Sequence, residues 1–182
     1  MNCGFFCDTG VIIGLSDKLD FHHKSCQFFF SKYPLESFEY FVSKTAVDEL
    51  NNFKYKLTKM ASERPMEKLY FNYIRLVQQA IDLYLNQMNH YECSYGLKND
   101  LNNIIICIQP IIGFETINQQ NDIKITANAI IWAFNSNYAN NYLLTVDNKD
   151  IYRNKEKIVN ESEKKLGVDL NINFLYLPYF KK

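Results

Sequence analysis

Apolar residues along this chain come in short runs that stop at polar turns, and the first run sets the pattern. Phe5, Phe6 and Cys7 end at Asp8-Thr9-Gly10, after which Val11, Ile12, Ile13 and Leu15 resume the apolar character. A buried strand, a tight polar turn and an apolar helix start produce this order, with Asp8 at the strand's carboxyl end. A second β-rich run, Phe38 to Val42, leads into Ser43-Lys44-Thr45. Ala46 to Leu50 then reads as a helix opened by a Ser or Thr cap, with Glu49 in its first turns. Behind Pro65, from Met66 to Met88, Leu69, Tyr73, Leu76, Ala80 and Leu83 recur at steps of four, three, four and three. That spacing predicts an amphipathic helix with this stripe turned toward the core.

Ile104 to Ile108 fits either a strand or a buried helical piece, because a short apolar run does not separate the two. Asn121-Asp122 precede Ile125, Ala129, Ile130, Trp132 and Ala133, which predicts a helix with Asp122 as the capping residue at its head. Tyr142 to Leu144 reads as a strand running into Thr145-Val146-Asp147, and Leu175 to Leu177, before Pro178, as a last one. Between them the charged stretch from Lys155 to Leu166 predicts a surface helix stopped by Gly167. Strands alternating with helices predict a three-layer α/β domain around a mainly parallel sheet, in which ligands gather at the carboxyl ends of strands.

Composition narrows this picture. The 182 residues are 47% apolar and 22% charged, which suits one well-buried domain over residues 1–182, with a helical insertion around 60–110. Twenty basic residues balance twenty acidic ones. A protein that coats nucleic acid through bulk positive charge is therefore excluded, and any nucleic-acid contact is local. Five cysteines form no CxxC pair and only three histidines accompany them, which argues against a zinc site or a disulfide framework. No run approaches the roughly 18 apolar residues of a membrane span, and no signal peptide is evident, so a reduced cytoplasmic protein is expected. His22-His23 has no matched partner ligand and is expected to be exposed or loosely packed.

The acids carry the chemistry. Asp8 and Asp147 each end a predicted strand, Asp122 opens a helix facing the same edge, and Glu49 can project toward it from another. Converging carboxylates repel, and a divalent cation is the usual resolution. Oxygen donors with few histidines favour Mg²⁺ or Mn²⁺ over zinc.

Each acid also has an ordinary structural reading. Taken alone, helix capping accounts for Asp122 and a turn with Gly10 accounts for Asp8. Glu49 beside Asp48 can be a solvated helical acid, and Asp147 and Asp150 part of a polar loop. Lys54, Lys56 and Lys59 around Tyr55, and Arg153 with Lys155 and Lys157, can touch a phosphate backbone, although solvated helix surface is the simpler reading of both groups.

Taken together and in order, the segments resemble the PIN-domain nucleases across nearly the whole chain. The matching residues are Phe6-Cys7-Asp8-Thr9-Gly10-Val11, Ser43 followed by Asp48-Glu49-Leu50, Asp122 with Ile125, Ala127 and Ala129, and Leu144-Thr145-Val146-Asp147 with Asp150-Ile151. The resemblance implies a PIN-like three-layer α/β/α fold, with extra helices between Glu49 and Asp122. It implies a metal-dependent endoribonuclease, either the toxin of a toxin–antitoxin pair or an RNA-processing enzyme, whose catalytic acids are Asp8, Glu49, Asp122 and Asp147. Asp8 and the fourth acid hold the main Mg²⁺ or Mn²⁺ ion together with Asp122; either Asp147 or Asp150 can be that principal ligand, Asp147 being favoured with Asp150 nearby, and Glu49 holds a second ion or orients water. Thr9 and Thr145 serve as hydroxyl donors to ligands or phosphate. The implied partners are RNA, an antitoxin protein and a second copy of the chain, with no membrane. The alternatives are a non-catalytic interaction module that keeps the fold, or a nuclease acting on DNA. A haloacid-dehalogenase-type phosphatase falls behind, because Gly10 stands where that family has its second Asp.

Overall fold

The computed structural model describes residues 2–63 and 68–180; Pro65 and Met66, at the expected start of the long helix, lie outside them. The chain runs β1 (Cys3–Cys7), α1 (Thr9–Ser16), α2 (His23–Lys32), β2 (Glu39–Ser43), α3 (Lys44–Ser62) and α4 (Lys68–Gln87). It continues with β3 (Asn89–Tyr91), α5 (Lys98–Ile112), α6 (Ile117–Phe134), β4 (Asn140–Thr145), α7 (Lys155–Leu166) and β5 (Ile172–Tyr176). The sheet has the order β3-β2-β1-β4-β5, and every neighbouring pair is parallel.

Two adjacent phenylalanines on the central strand define the layers. Successive strand residues point to opposite faces. Phe5 lies in register with Tyr40 and Tyr142 and stacks on both rings, at 5.0 and 5.3 Å, while Phe29 of α2 meets it edge-on at 5.5 Å. Phe6 faces the other way, against Trp132 of α6 at 5.5 Å. Helices therefore cover both faces, and all five residues of β1 are buried, which is why it reads as a continuous apolar run. Such aromatic pairs add about 0.5–1.5 kcal/mol each beyond the area they bury. The result is a three-layer α/β/α arrangement with extra helices α4 and α5 between Glu49 and Asp122.

Several sequence expectations need correction. The α4 stripe is turned around: Leu69, Leu76 and Leu83 are exposed, whereas Ile74, Val77, Ile81, Leu85 and Met88 are buried. Both rows have helical spacing, and packing of α4 on α1 and α3 selects the second. The segment from 60 to 110 is not purely helical, since β3 lies within it and pairs with β2 as the sheet edge. Ile104 to Ile108, which fits strand or helix by its sequence alone, belongs to α5. The last strand begins at Ile172, earlier than Leu175. His23 is buried, with Nδ1 2.8 Å from the Gly14 carbonyl oxygen, rather than loosely packed. Gly167 ends α7 in the left-handed conformation, at φ 72°, as a helix-stopping glycine should. Among the described residues, no helix is long and apolar enough to cross a membrane.

Candidate metal centre

Parallel pairing in register brings the carboxyl ends of three strands to one edge. Cys7 lies opposite both Val42 and Leu144, so Asp8, Ser43 and Thr145 are the next residues out on adjacent strands. Asp8 is the N-cap residue of α1, yet its carboxylate makes no capping bond. Its Oδ2 instead accepts from Thr145 Oγ1 at 2.9 Å, and the same Thr145 oxygen accepts from the Asp147 amide at 2.9 Å. One buried hydroxyl thus ties the end of β1 to the loop after β4. A Cβ on Gly10 would stand 2.6 Å from Val146 Cγ2, so the glycine lets the first turn of α1 approach that loop.

Glu49 arrives from α3, whose Ser43 cap accepts from the Ala46 amide at 3.2 Å. Both of its carboxylate oxygens are held. Thr9 Oγ1 donates to Oε2 at 2.6 Å, and Asn121 Nδ2 donates to Oε1 at 2.7 Å. Thr9 therefore bonds a candidate acid rather than only local backbone. Asn121 escaped the sequence reading except as the neighbour of Asp122; its role becomes visible only when α3 and α6 are packed together.

Asp122 does not open its helix. Thr116 does, through a capping box with Gln119: Thr116 Oγ1 accepts from the Gln119 amide at 3.2 Å, and Gln119 Oε1 accepts from the Thr116 amide at 3.2 Å. Asp122 lies in the second turn of α6, released from capping. One oxygen each from Asp122, Asp147 and Asp150 lies within 4.8 Å of the others. Asp147 Oδ1 also accepts from the Asp150 amide at 2.8 Å, which curls the loop so that both acids face the same space.

Charge crowding is visible in the protonation of this cluster. Burial, with the Glu49 and Asp147 charges, raises Asp8 to about 6 against the opposing pull of the Thr145 hydrogen bond. Burial, with the charges of Asp8, Asp147, Glu49 and Asp150, raises Asp122 to about 8. Among the described residues, none of these five acids forms an ion pair with lysine or arginine. They line an open cleft of about 660 Å³, with Lys56 and Lys149 on its walls and no histidine or cysteine in its lining. An all-oxygen donor set short of positive charge fits a hard divalent cation such as Mg²⁺ or Mn²⁺. Lys54 is engaged elsewhere, paired with Asp82 at 2.5 Å. A larger hollow of about 1010 Å³, bordered by Leu15, Phe28, Phe30 and Tyr84, shares no lining residue with the acidic cleft.

No protein-family model matches the chain, and no curated protein matches it. Among solved structures, a chain in the crystal structure of VapBC2 from Rickettsia felis, bound to a DNA fragment from their promoter, is similar. The TM-score is 0.55 at 13% identity, over 94% of this chain and 98% of that one. What the two share is the fold, a PIN-like α/β arrangement around the five-stranded parallel sheet.

Proposed function

We propose that this protein is a divalent-metal-dependent endoribonuclease of the PIN type, hydrolysing RNA phosphodiester bonds. The observation that carries the reading is the meeting of Asp8, Glu49, Asp122, Asp147 and Asp150 in one cleft, none of them ion-paired among the described residues. Asp122, Asp147 and Asp150 would hold Mg²⁺ or Mn²⁺, with Asp8 completing the set from the end of β1. When bound, one or two such ions supply an activated water and positive charge against the scissile phosphate. Glu49, fixed by Thr9 and Asn121, orients the attacking water. Lys56 and Lys149 line the walls, where a phosphate chain enters. The Thr145 hydroxyl keeps Asp8 aimed into the cleft and aligned with Asp147.

The reading extends to a toxin of a toxin–antitoxin pair with an antitoxin-type protein partner. Its supports are the similarity in fold to a chain of the VapBC2 assembly and the uncovered apolar row of Leu69, Leu76 and Leu83 on α4.

Labelled RNA and matched DNA incubated with Mn²⁺ or Mg²⁺, beside a chelator control, test the activity. RNA cut internally only when the cation is present is the expected result; cutting that persists in chelator, or no cutting of either strand, defeats the reading. Asn121→Ala releases one Glu49 oxygen while keeping every acid. Loss of such a supporting hydrogen bond typically costs about 10- to 100-fold, so Mn²⁺-supported turnover is expected to fall by that order with little change in melting temperature. Turnover equal to wild type would remove Asn121 from the machinery.

A further inference from the structure

Next to the acidic cleft, on the same edge of the sheet, three tyrosines gather around two basic residues. Tyr176 ends β5 in register with Thr145, so it stands one strand outward from the residue that anchors Asp8. Tyr152 begins a 3₁₀ turn whose position is tied to the cleft, because its amide donates to the Asp147 carbonyl oxygen at 3.1 Å. Tyr179 closes a second 3₁₀ turn after β5 and is 67% exposed. The rings touch one another: Tyr152 stacks on Tyr176 at 5.3 Å and 27°, and Tyr179 meets them edge-on at 5.7 and 4.8 Å. Lys155 Nζ sits 4.1 Å above the Tyr152 ring, and Arg153, next to Tyr152 in the chain, is exposed. Among the described residues, neither Arg153 nor Lys155 is paired with an acid. Among the described residues, none of the three hydroxyls has a hydrogen-bond partner, and the rings are held by one another through one stacked and two edge-on contacts.

Core packing accounts for Tyr152, which is partly buried against the core, but not for the outer edge of the cluster. Tyr179 keeps most of its surface in solvent, and the neighbouring cations would repel a basic or metal-bearing partner. The exposed Tyr179 ring beside two cations without acid partners matches a ligand that carries π-faces and negative charge in alternation, the chemistry of an unpaired nucleic-acid strand. A duplex hides its base faces and would meet only the charges.

We propose that Tyr152, Tyr176 and Tyr179, with Arg153 and Lys155, form a stacking platform that takes unpaired bases of a single-stranded nucleic acid beside the acidic cleft. The inference deepens the nuclease reading and rests on it for the direction of the strand, which runs from the platform across Asp147 into the cleft. It selects single-stranded over paired substrate, by stacking rather than by base-edge hydrogen bonds, so it carries little sequence preference.

The test is anisotropy titration of short labelled RNA and DNA single strands, and of a duplex of the same sequence, in chelator so that no strand is cut. Wild type is expected to bind the single strands more tightly than the duplex, and Tyr179→Ala to weaken single-strand binding by about tenfold while Tyr179→Phe binds as wild type. Arg153→Gln is expected to reduce the slope of log affinity against log salt by about 0.7 for the lost phosphate contact, a slope that Tyr179→Ala leaves unchanged. The RNA and DNA arms tell which sugar the platform accepts. Equal binding by wild type and Tyr179→Ala, a preference for duplex, or absence of single-strand binding overturns the proposal; melting curves check that the exposed substitutions leave the fold intact. The two readings fail separately: cleavage with unaltered binding by Tyr179→Ala defeats the platform alone, and a Tyr179-dependent affinity without cleavage in Mn²⁺ defeats the nuclease alone.

Discussion

Asp8→Asn is expected to lower Mn²⁺-supported RNA cleavage by at least about a thousandfold while raising the melting temperature of the metal-free protein. The two effects have one origin. Asp8 is buried and faces Glu49, Asp122 and Asp147, so its negative charge is costly when no cation is present. The amide keeps the shape of the side chain, and its oxygen can still accept from Thr145 Oγ1, so the tie between β1 and the β4 loop survives. What disappears is one unit of charge in the set that would hold the metal, and positive charge placed against a developing phosphate anion does most to lower the barrier in this class of catalysis. Thermal melts in chelator and initial rates in Mn²⁺ measure the two halves. Full activity in the substituted protein would exclude Asp8 from the site, and a lowered melting temperature would mean that its charge is compensated by groups other than a metal.

Metal-free stability is expected to fall as pH rises from about 4 to about 8, and added Mg²⁺ or Mn²⁺ to restore it most strongly at the upper end. In the unfolded chain Asp8 and Asp122 ionise near the ordinary aspartate value of about 3.9. In the folded chain burial and neighbouring charge hold protons on them up to about 6 and about 8. Across that window the folded state binds more protons than the unfolded one, so unfolding free energy declines with increasing pH. The contribution of these two groups is fully present below about 4 and lost once pH exceeds the folded values, a change of the order of several kcal/mol. A cation that binds only the folded protein at a hundredfold excess over its Kd returns about 2.7 kcal/mol, or roughly 5–10 °C for a chain of this size. Protons compete with the cation for the same oxygens, so the rise should be small near pH 5 and large near pH 8. Melting curves in chelator and in Mg²⁺ across this range provide the check, and Asp122→Asn should flatten the metal-free profile. A cation effect of equal size at both ends would place the bound ion away from these acids.

Asp8 was legible because a central parallel strand is buried on both faces and therefore reads as an unbroken apolar run, which makes the first acid after it conspicuous. Ser43 was legible for a similar local reason: a cap bonds its own helix three residues on. The capping assignment of Asp122 failed although a local signal was present, since Thr116-Ile117-Asn118-Gln119 carries the spacing of a capping box six residues upstream. Moving the helix start to Thr116 turned Asp122 from a cap into a cleft residue. The long helix α4 was recognised but its buried face was not, because leucines at 69, 76 and 83 and aliphatic residues at 74, 77, 81 and 85 both satisfy helical periodicity. Strand β3 is largely exposed and polar, held by pairing with β2 rather than by any burial pattern of its own, so periodicity had nothing to detect.

By itself, then, the sequence determined the elements whose causes lie within a few residues: apolar runs, a Ser or Thr cap before Ala46, the Gly167 stop and the acids that follow strands. Tertiary structure alone decided which face of α4 is buried, that the Asn121 amide reaches Glu49 across α3 and α6, and that Tyr152, Tyr176 and Tyr179 share one surface. Local patterns record what a residue prefers, whereas these three outcomes depend on which distant residue stands opposite. For α4 that choice is made by packing on α1 and α3, and at the sheet edge by the in-register parallel pairing of β1 with β2 and β4 and of β4 with β5, which brings positions more than a hundred residues apart in sequence together.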